Sequence, residues 1–123
     1  MKITDLYVSD NKIKIVVKNE SNMNITKFFF DISCYDLSGN PLPCCTDGTN
    51  TFGGSYGYTL YEGDSTEHGK FYFADFVQPE TPIGRVVMTI TGYRADDGYS
   101  RTIPADKRQA VEFTSATYAP PAV

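Results

Sequence analysis

The strongest structural signal in the chain lies in residues 25–35, which read ITKFFFDISCY. Apolar and polar residues alternate along it, as in a β-strand with one face turned to a core. The predicted core set is Phe28, Phe30, Ile32 and Cys34. Asp31 and Ser33 fall on the opposite face. Because the stretch is long and contains three consecutive phenylalanines, we interpret it as a central strand, either buried on both faces or interrupted by a bulge.

Shorter β-like stretches lie on both sides of this strand. The further predicted strands are residues 3–8, 12–19, 58–61, 70–76, 85–94, 99–103 and 110–114. Turn-forming residues predict reversals of the chain at 9–11, 36–41 and 96–98. Residues 46–57 carry four of the ten glycines and show no periodicity, which predicts a loop.

The composition favours an all-β fold. Val, Ile, Thr, Phe and Tyr together supply 46 residues, against 14 for Leu, Met and Ala. A chain of 123 residues is typical of one domain. About seven short antiparallel strands without crossover helices favour a two-sheet β-sandwich over a closed barrel. We therefore predict a single sandwich domain at residues 1–117, followed by an extended tail or linker at 118–123.

Charge and motifs exclude several classes of function. The net charge of −4 has the wrong sign for a nucleic-acid partner. No apolar stretch approaches the length of a membrane span, so we expect no membrane insertion. The sequence lacks a phosphate-binding loop, a dinucleotide fingerprint and a zinc-protease motif. We accordingly predict no catalytic residues, no cofactor and no enzyme activity.

Residues 13–19, 25–30 and 32–36, with the turn at Gly39 and Asn40, form a recognisable pattern. A strand ends in a Val-x-Asn-like step, a polar turn follows, and Phe30, Ile32, Tyr35 and Asp36 come next. This pattern resembles the FxLYD-type and related immunoglobulin-like domains of Gram-positive secreted and surface proteins. The resemblance implies an immunoglobulin-like or fibronectin-III-like sandwich. It also implies an extracellular or cell-surface location and a non-enzymatic role.

The three cysteines allow one disulfide. Adjacent Cys44 and Cys45 are too close for an ordinary bond to each other. If residues 36–41 close a hairpin, Cys34 falls opposite Cys44 or Cys45, and a disulfide could join them. The alternative is three buried thiols. A zinc site is disfavoured, because His68 is the only histidine and no Cys-x-x-Cys spacing occurs.

Aromatic and acidic residues supply the other candidate sites. An aromatic, Gly-rich segment at 50–61 resembles the composition of binding loops. Its candidate ligand-binding residues are Asn50, Phe52, Tyr56, Tyr58 and Tyr61. The acidic groups Glu62, Asp64 and Glu67, and Asp96 with Asp97, are interpreted as solvated residues rather than calcium ligands, since they lack the spacing of a calcium loop. His68 is interpreted as a solvated loop residue.

Three functions remain as hypotheses. The first is a spacer or protein-interaction module of a bacterial surface or secreted protein, with neighbouring domains or another protein as its partner. The second is a carbohydrate-binding module that stacks the aromatic residues of segment 50–61 on a glycan. The third, a small enzyme using Cys34, Cys44 or Cys45, would require a base and an orienting group beside the thiol.

Overall fold

Eight β-strands form two antiparallel sheets in the computed structural model, which describes residues 2–9, 12–43, 49–66, 72–74 and 82–119. The strands are β1 (Lys2–Ser9), β2 (Lys12–Lys18), β3 (Ile25–Asp36), β4 (Thr51–Tyr56), β5 (Tyr72–Ala74), β6 (Ile83–Ala95), β7 (Ser100–Thr102) and β8 (Ala110–Thr114). Helical structure in these ranges is limited to one 3₁₀ turn at Ala105–Lys107. The prediction of an all-β, antiparallel fold is confirmed.

The smaller sheet has the order β1-β2-β5, and the larger has β4-β3-β6 with both β7 and β8 on the far edge of β6. This edge accommodates two strands because β6 is 13 residues long. Its first half pairs with β8 and its second half with β7. β3 pairs with β4 on one side and β6 on the other, which confirms its central position. The register between β3 and β6 shifts between Phe29 and Phe30, an irregularity of the kind predicted for this strand.

Side chains from both sheets meet in one hydrophobic core. The predicted core residues of β3 are all buried: Phe28, Phe30, Ile32 and Cys34. The smaller sheet contributes Ile3, Leu6, Ile15 and Val17, and β6 contributes Val86, Met88 and Ile90. Buried positions alternate with half-buried or exposed ones along most of β3 and β6, with the period of two that a sheet covered on one face imposes.

The prediction of a loop at residues 46–57 was wrong for its second half. Thr51–Tyr56 is strand β4, paired in register with β3 from Phe28 to Ser33. Glycine fits here for a steric reason. A Cβ at Gly54 would lie 2.8 Å from Cζ of the buried Phe30 ring, so only a residue without a side chain lets this strand approach β3.

The predicted strand at 58–61 was also wrong. Only Leu60 forms a bridge there, to Ile25, through backbone bonds of 2.9 and 2.7 Å. The segment therefore belongs to the connection that follows β4. The predicted strand at 70–76 is described only at Tyr72–Ala74, where it pairs with β2. Residues 85–94, 99–103 and 110–114 are confirmed as strands, with small differences at their ends.

The predicted turns at 36–41 and 96–98 are confirmed. The Asp36 side chain accepts bonds of 2.9 Å from the backbone N–H groups of Ser38 and Asn40. Gly39 and Gly98 have φ of 86° and 85°, which suits glycine. β1 and β2 pair antiparallel, as the predicted hairpin requires, and Asp10 and Asn11 of the predicted turn at 9–11 lie outside the described residues. Among the described residues, none forms a helix with the length and hydropathy of a membrane-spanning segment.

Candidate functional site

Three connecting segments meet where β3 begins, and we call them together the tyrosine end: residues 19–24, 57–64 and 96–99. Asn24 links the other two segments. Its carbonyl oxygen accepts a bond of 3.0 Å from the backbone N–H of Asp96, and its Oδ1 accepts one of 3.1 Å from the backbone N–H of Glu62. Segments far apart in sequence thereby form one surface.

Asn19 joins the 19–24 and 57–64 segments of this surface a second time. It follows β2 directly and is completely buried. Its Nδ2 donates to the carbonyl oxygens of Met23 (2.8 Å) and Leu60 (2.9 Å). Its Oδ1 accepts bonds from the backbone N–H and the hydroxyl of Ser21, at 3.0 and 2.6 Å. A buried amide with its polar atoms satisfied holds the 19–24 and 57–64 segments in a defined arrangement.

The tyrosine end carries large apolar side chains that are turned to solvent. Tyr58, Tyr61 and Tyr99 are 65%, 57% and 71% exposed, and they are the large hydrophobic residues that stand out as exposed in the described part of the chain. Tyr58 and Tyr61 lie in the 57–64 segment, and Tyr99 lies in the 96–99 turn. Exposed tyrosines offer flat apolar area with a polar tip, at a small entropic cost on binding.

Tyr99 lies in a turn that is held by hydrogen bonds with Asp97 and Arg101. Its backbone N–H donates to Oδ1 of Asp97 at 3.0 Å. Arg101 forms a two-pronged pair with the same carboxylate, with the shorter contact at 2.6 Å, and also donates to the Tyr99 carbonyl oxygen. The Arg101 bond, followed by the Tyr99 N–H, lowers the pKa of Asp97. The Asp97 side chain is therefore a carboxylate at neutral pH, and its bonds fix the backbone on either side of Tyr99.

The five aromatic-segment residues predicted to bind a ligand lie in different environments. Tyr58 and Tyr61 are exposed. Phe52 is half-buried and packs against the core. Asn50 is half-buried, and its Nδ2 donates to the carbonyl oxygen of Cys34 at 3.0 Å. Tyr56 is buried and stacks on Phe28, with ring centroids 5.2 Å apart.

The burial of Tyr56 also affects its ionisation. Burial first, and then the neighbouring Tyr58, raises the pKa of Tyr56. The ring is thus a neutral part of the core edge at physiological pH. The exposed Tyr58 ring packs against the Tyr56 ring, with ring centroids 5.5 Å apart.

Tyr99 was missed as a site residue. In the sequence it follows a tight turn and precedes a short strand, so we assigned it to that strand. Its proximity to the 57–64 segment depends on Asn24, whose contacts with Glu62 and Asp96 are not local in sequence. The one signal available was an aromatic residue directly after an Asp-Asp-Gly turn, where a side chain commonly points to solvent.

The cysteine and acidic candidates are only partly described. Cys34 is buried, and its carbonyl oxygen accepts a bond from the backbone N–H of Leu42, two residues before Cys44. Cys44 and Cys45 lie outside the described residues, and so do Glu67 and His68. Within the described ranges, no group of three or more His, Cys, Asp or Glu side chains is arranged to hold a metal ion.

A second surface feature lies on the outer face of the larger sheet. It is an open depression of about 370 Å³ beside the glycines of β4. Phe29, Asp31, Ser55 and Thr91 line it together with Gly53 and Gly54. The Lys27 Nζ lies 5.6 Å from the Phe29 ring centroid. The depression is shallow, and polar side chains form part of its wall.

The comparisons with known proteins add no relative: no family model, no curated protein and no solved structure matches this chain.

Proposed function

We propose that this protein is a non-enzymatic binding module of immunoglobulin-like or fibronectin-III-like sandwich type, which contacts a protein partner through the tyrosine end. The proposed setting is a bacterial surface or secreted protein, where such a module spaces or docks other domains. The proposed sandwich domain is residues 1–117, and Tyr118 and Ala119 are still hydrogen-bonded to it, through the carbonyl oxygens of Ser115 and Leu37.

The two antiparallel sheets support the sandwich. A β-sandwich requires two sheets whose inner faces share a core, with polar residues alternating outward. Residues of β1 and β2 share one core with residues of β3 and β6. The resemblance of residues 13–36 to immunoglobulin-like surface domains supports the same fold and the extracellular setting.

One observation carries the binding function: the exposed tyrosines are gathered at one end of the domain, on segments tied together by buried or backbone hydrogen bonds. Interfaces between proteins are enriched in tyrosine, and a few aromatic side chains commonly supply most of the binding free energy. A surface that is fixed before binding loses less conformational entropy when a partner arrives. Sandwich domains commonly use the loops at one end for this purpose.

The experiment compares two matched variants as bait for proteins of a bacterial cell-surface fraction. The test variant is Tyr58→Ala/Tyr61→Ala/Tyr99→Ala. The control is Tyr118→Ala, at the opposite end, where the neighbouring Ala119 N–H donates to the Leu37 carbonyl oxygen. A captured protein is then purified and its affinity measured by biolayer interferometry. Aromatic anchors contribute about 1 kcal/mol or more each, so the triple variant should bind at least about 100-fold more weakly.

The two variants distinguish the outcomes. The proposal is supported if a purified partner binds wild type and Tyr118→Ala equally and loses affinity for the triple variant. It is contradicted if the triple variant retains full affinity for every purified partner. It is also contradicted if the Tyr118→Ala variant loses as much affinity as the triple variant does.

Carbohydrate binding is the second candidate, because exposed tyrosine rings also stack on sugar rings. The exposed Tyr58 and Tyr61 belong to the segment that suggested this function from sequence. A glycan array read with wild type and the triple variant separates the two candidates. Glycan signals that vanish in the triple variant favour the carbohydrate function, and a blank array with a confirmed protein partner favours the first.

A further inference from the structure

β4 is an edge strand of the larger sheet, and β3 is its single neighbour among the strands that the structure describes. The direction of its backbone groups follows from a bond just beyond the strand, in which the N–H of Cys34 donates to the carbonyl oxygen of Asn50 at 2.9 Å. In an antiparallel pair every second residue bonds to the partner strand, so the even-numbered residues of β4 bond to β3. The odd-numbered Gly53 and Ser55 therefore direct their N–H and C=O groups away from β3.

These outward groups are available to a further strand. Gly53 and Ser55 are exposed. Within the described ranges, neither a backbone nor a side-chain group forms a hydrogen bond with them. The third odd-numbered residue, Thr51, differs, because its carbonyl oxygen accepts a bond of 3.3 Å from the Thr49 hydroxyl. The pairing positions of this edge are therefore Gly53 and Ser55.

The other sheet edges in the described part of the chain carry features that discourage pairing with another strand. β1 has a register irregularity between Ile3 and Asp5, and the Ile3 N–H donates to Oε1 of Gln109 at 3.0 Å. β8 carries the charged Glu112, and β5 and β7 are three residues long. β4, in contrast, has a continuous register over six residues, and its sequence TFGGSY contains neither a charge nor a proline. An edge of this kind is a template for another strand.

We infer that β4 pairs antiparallel with β4 of a second copy of this chain, about a two-fold axis at Gly54. In this register Gly53 of one copy exchanges backbone bonds with Ser55 of the other, and the symmetry repeats the pair, so the outward groups of both residues are used in each copy. Phe52 of one copy then lies opposite Tyr56 of the other, an aromatic cross-strand pair on the core-facing side of the sheet. Phe52 is half-buried, so part of its side chain is still open to such a neighbour.

The composition and symmetry of β4 suit a second copy as the partner. The chain has a net charge of −4, so two copies repel each other wherever their charged surfaces meet. A charge-free strand places no like charges directly opposite each other. A two-fold contact uses each β4 edge once, so association stops at the dimer. Because the paired strands run antiparallel, the tyrosine ends of the two copies point in opposite directions.

The test removes one outward N–H without removing a bond to β3. Ser55→Pro lacks that donor, and the preceding Gly54 tolerates a following proline. Its matched control, Ser55→Ala, keeps the donor. Gly53→Pro and its control Gly53→Ala form a second pair at the other outward residue. Sedimentation velocity measures the dimer dissociation constant, in a reducing agent that prevents disulfides between chains. Each proline variant should dimerise at least about 10-fold more weakly than wild type, and each alanine control should stay within about 2-fold of it.

Amide hydrogen exchange of the ¹⁵N-labelled full chain, read by NMR, shows which strand forms the contact. The amides of Gly53 and Ser55 should exchange at least about 2-fold more slowly at about 1 mM wild-type protein than at about 50 µM, because only the dimer protects them. The amides of Phe52 and Gly54 bond to β3 within one copy, so they should be protected at both concentrations.

The inference is overturned if wild type sediments as a monomer up to about 1 mM, or if it forms assemblies larger than a dimer. It is also overturned if the proline variants dimerise as tightly as their alanine controls, or if exchange at Gly53 and Ser55 does not depend on concentration. If circular dichroism shows that neither proline variant folds, the concentration dependence of wild type decides the question. The proposed function is tested separately, since its three exposed tyrosines lie outside β4.

Discussion

Asn19 is the residue on which the shape of the tyrosine end most depends, and replacing it by alanine should destabilise the protein. The side chain forms four hydrogen bonds within 3.0 Å while completely buried. A buried hydrogen bond contributes about 1 kcal/mol net, and water can recover part of the loss at the partly buried Ser21 and Met23. The expected loss for Asn19→Ala is therefore about 3 kcal/mol, a large fraction of the stability of a small domain.

Urea denaturation followed by circular dichroism measures this loss. The matched control is Asn22→Ala, an exposed asparagine in the same segment, which should change stability by less than about 0.5 kcal/mol. Amide hydrogen exchange gives a second readout, since the 57–64 segment should exchange faster in Asn19→Ala. Equal denaturation midpoints for the two variants, with unchanged exchange at 57–64, would refute the role assigned to Asn19.

Three further predictions concern β4 and ionisation. Gly54→Ala should destabilise by about 1–2 kcal/mol, because the new Cβ would meet the buried Phe30 ring at 2.8 Å, whereas Gly57→Ala meets nothing within 4 Å and should leave stability unchanged or slightly higher. Equal urea midpoints for these two variants would contradict the placement of β4. The pKa of Tyr56 is raised in the folded protein, so the folded state holds the phenol proton more tightly than the unfolded state does. The contribution of Tyr56 to stability is therefore fully present below pH 10.0 and is lost as the pH rises above that value. Wild type should thus lose more stability than Tyr56→Phe as the pH rises above 10.0, and parallel curves of stability against pH for the two proteins would contradict this. The lowered pKa of Asp97 acts in the opposite direction. The contribution of the Asp97 carboxylate to stability is present above pH 3.8 and is lost as the pH falls below that value. Acid should therefore destabilise wild type more than Asp97→Asn. Stability that falls equally in both proteins on acidification would count against the Asp97 pairing.

The fold could be predicted where side chains alternate. In β3 the polar Asp31 and Ser33 separate the buried Phe30, Ile32 and Cys34, and extending that period of two backwards also predicted the burial of Phe28. The turn at 96–98 was equally clear, because glycine adopts the positive φ that ends such a turn. Both signals are local, so one sequence is enough to find them.

β4 and the site could be predicted only in part, because they depend on contacts between distant residues. The glycines of β4 indicate a loop in isolation, and only the contact with the Phe30 ring explains why the strand needs a glycine at position 54. Tyr58 and Tyr61 were found from composition. Tyr99 could not be found in this way. Its turn lies next to the 57–64 segment because Asn24 forms hydrogen bonds with both, and these contacts are not local in sequence.

The most direct test of the account is hydrogen exchange of the full chain with and without the purified partner. The end of the domain opposite the tyrosine end, residues 36–41 and 115–119, serves as the internal reference. β3 separates the two ends by about 36 Å, at 3.3 Å per residue. The account predicts that partner binding slows exchange together in residues 19–24, 57–64 and 96–99 and leaves 36–41 and 115–119 unchanged. Protection confined to one of the three segments, or centred on the opposite end, would contradict it.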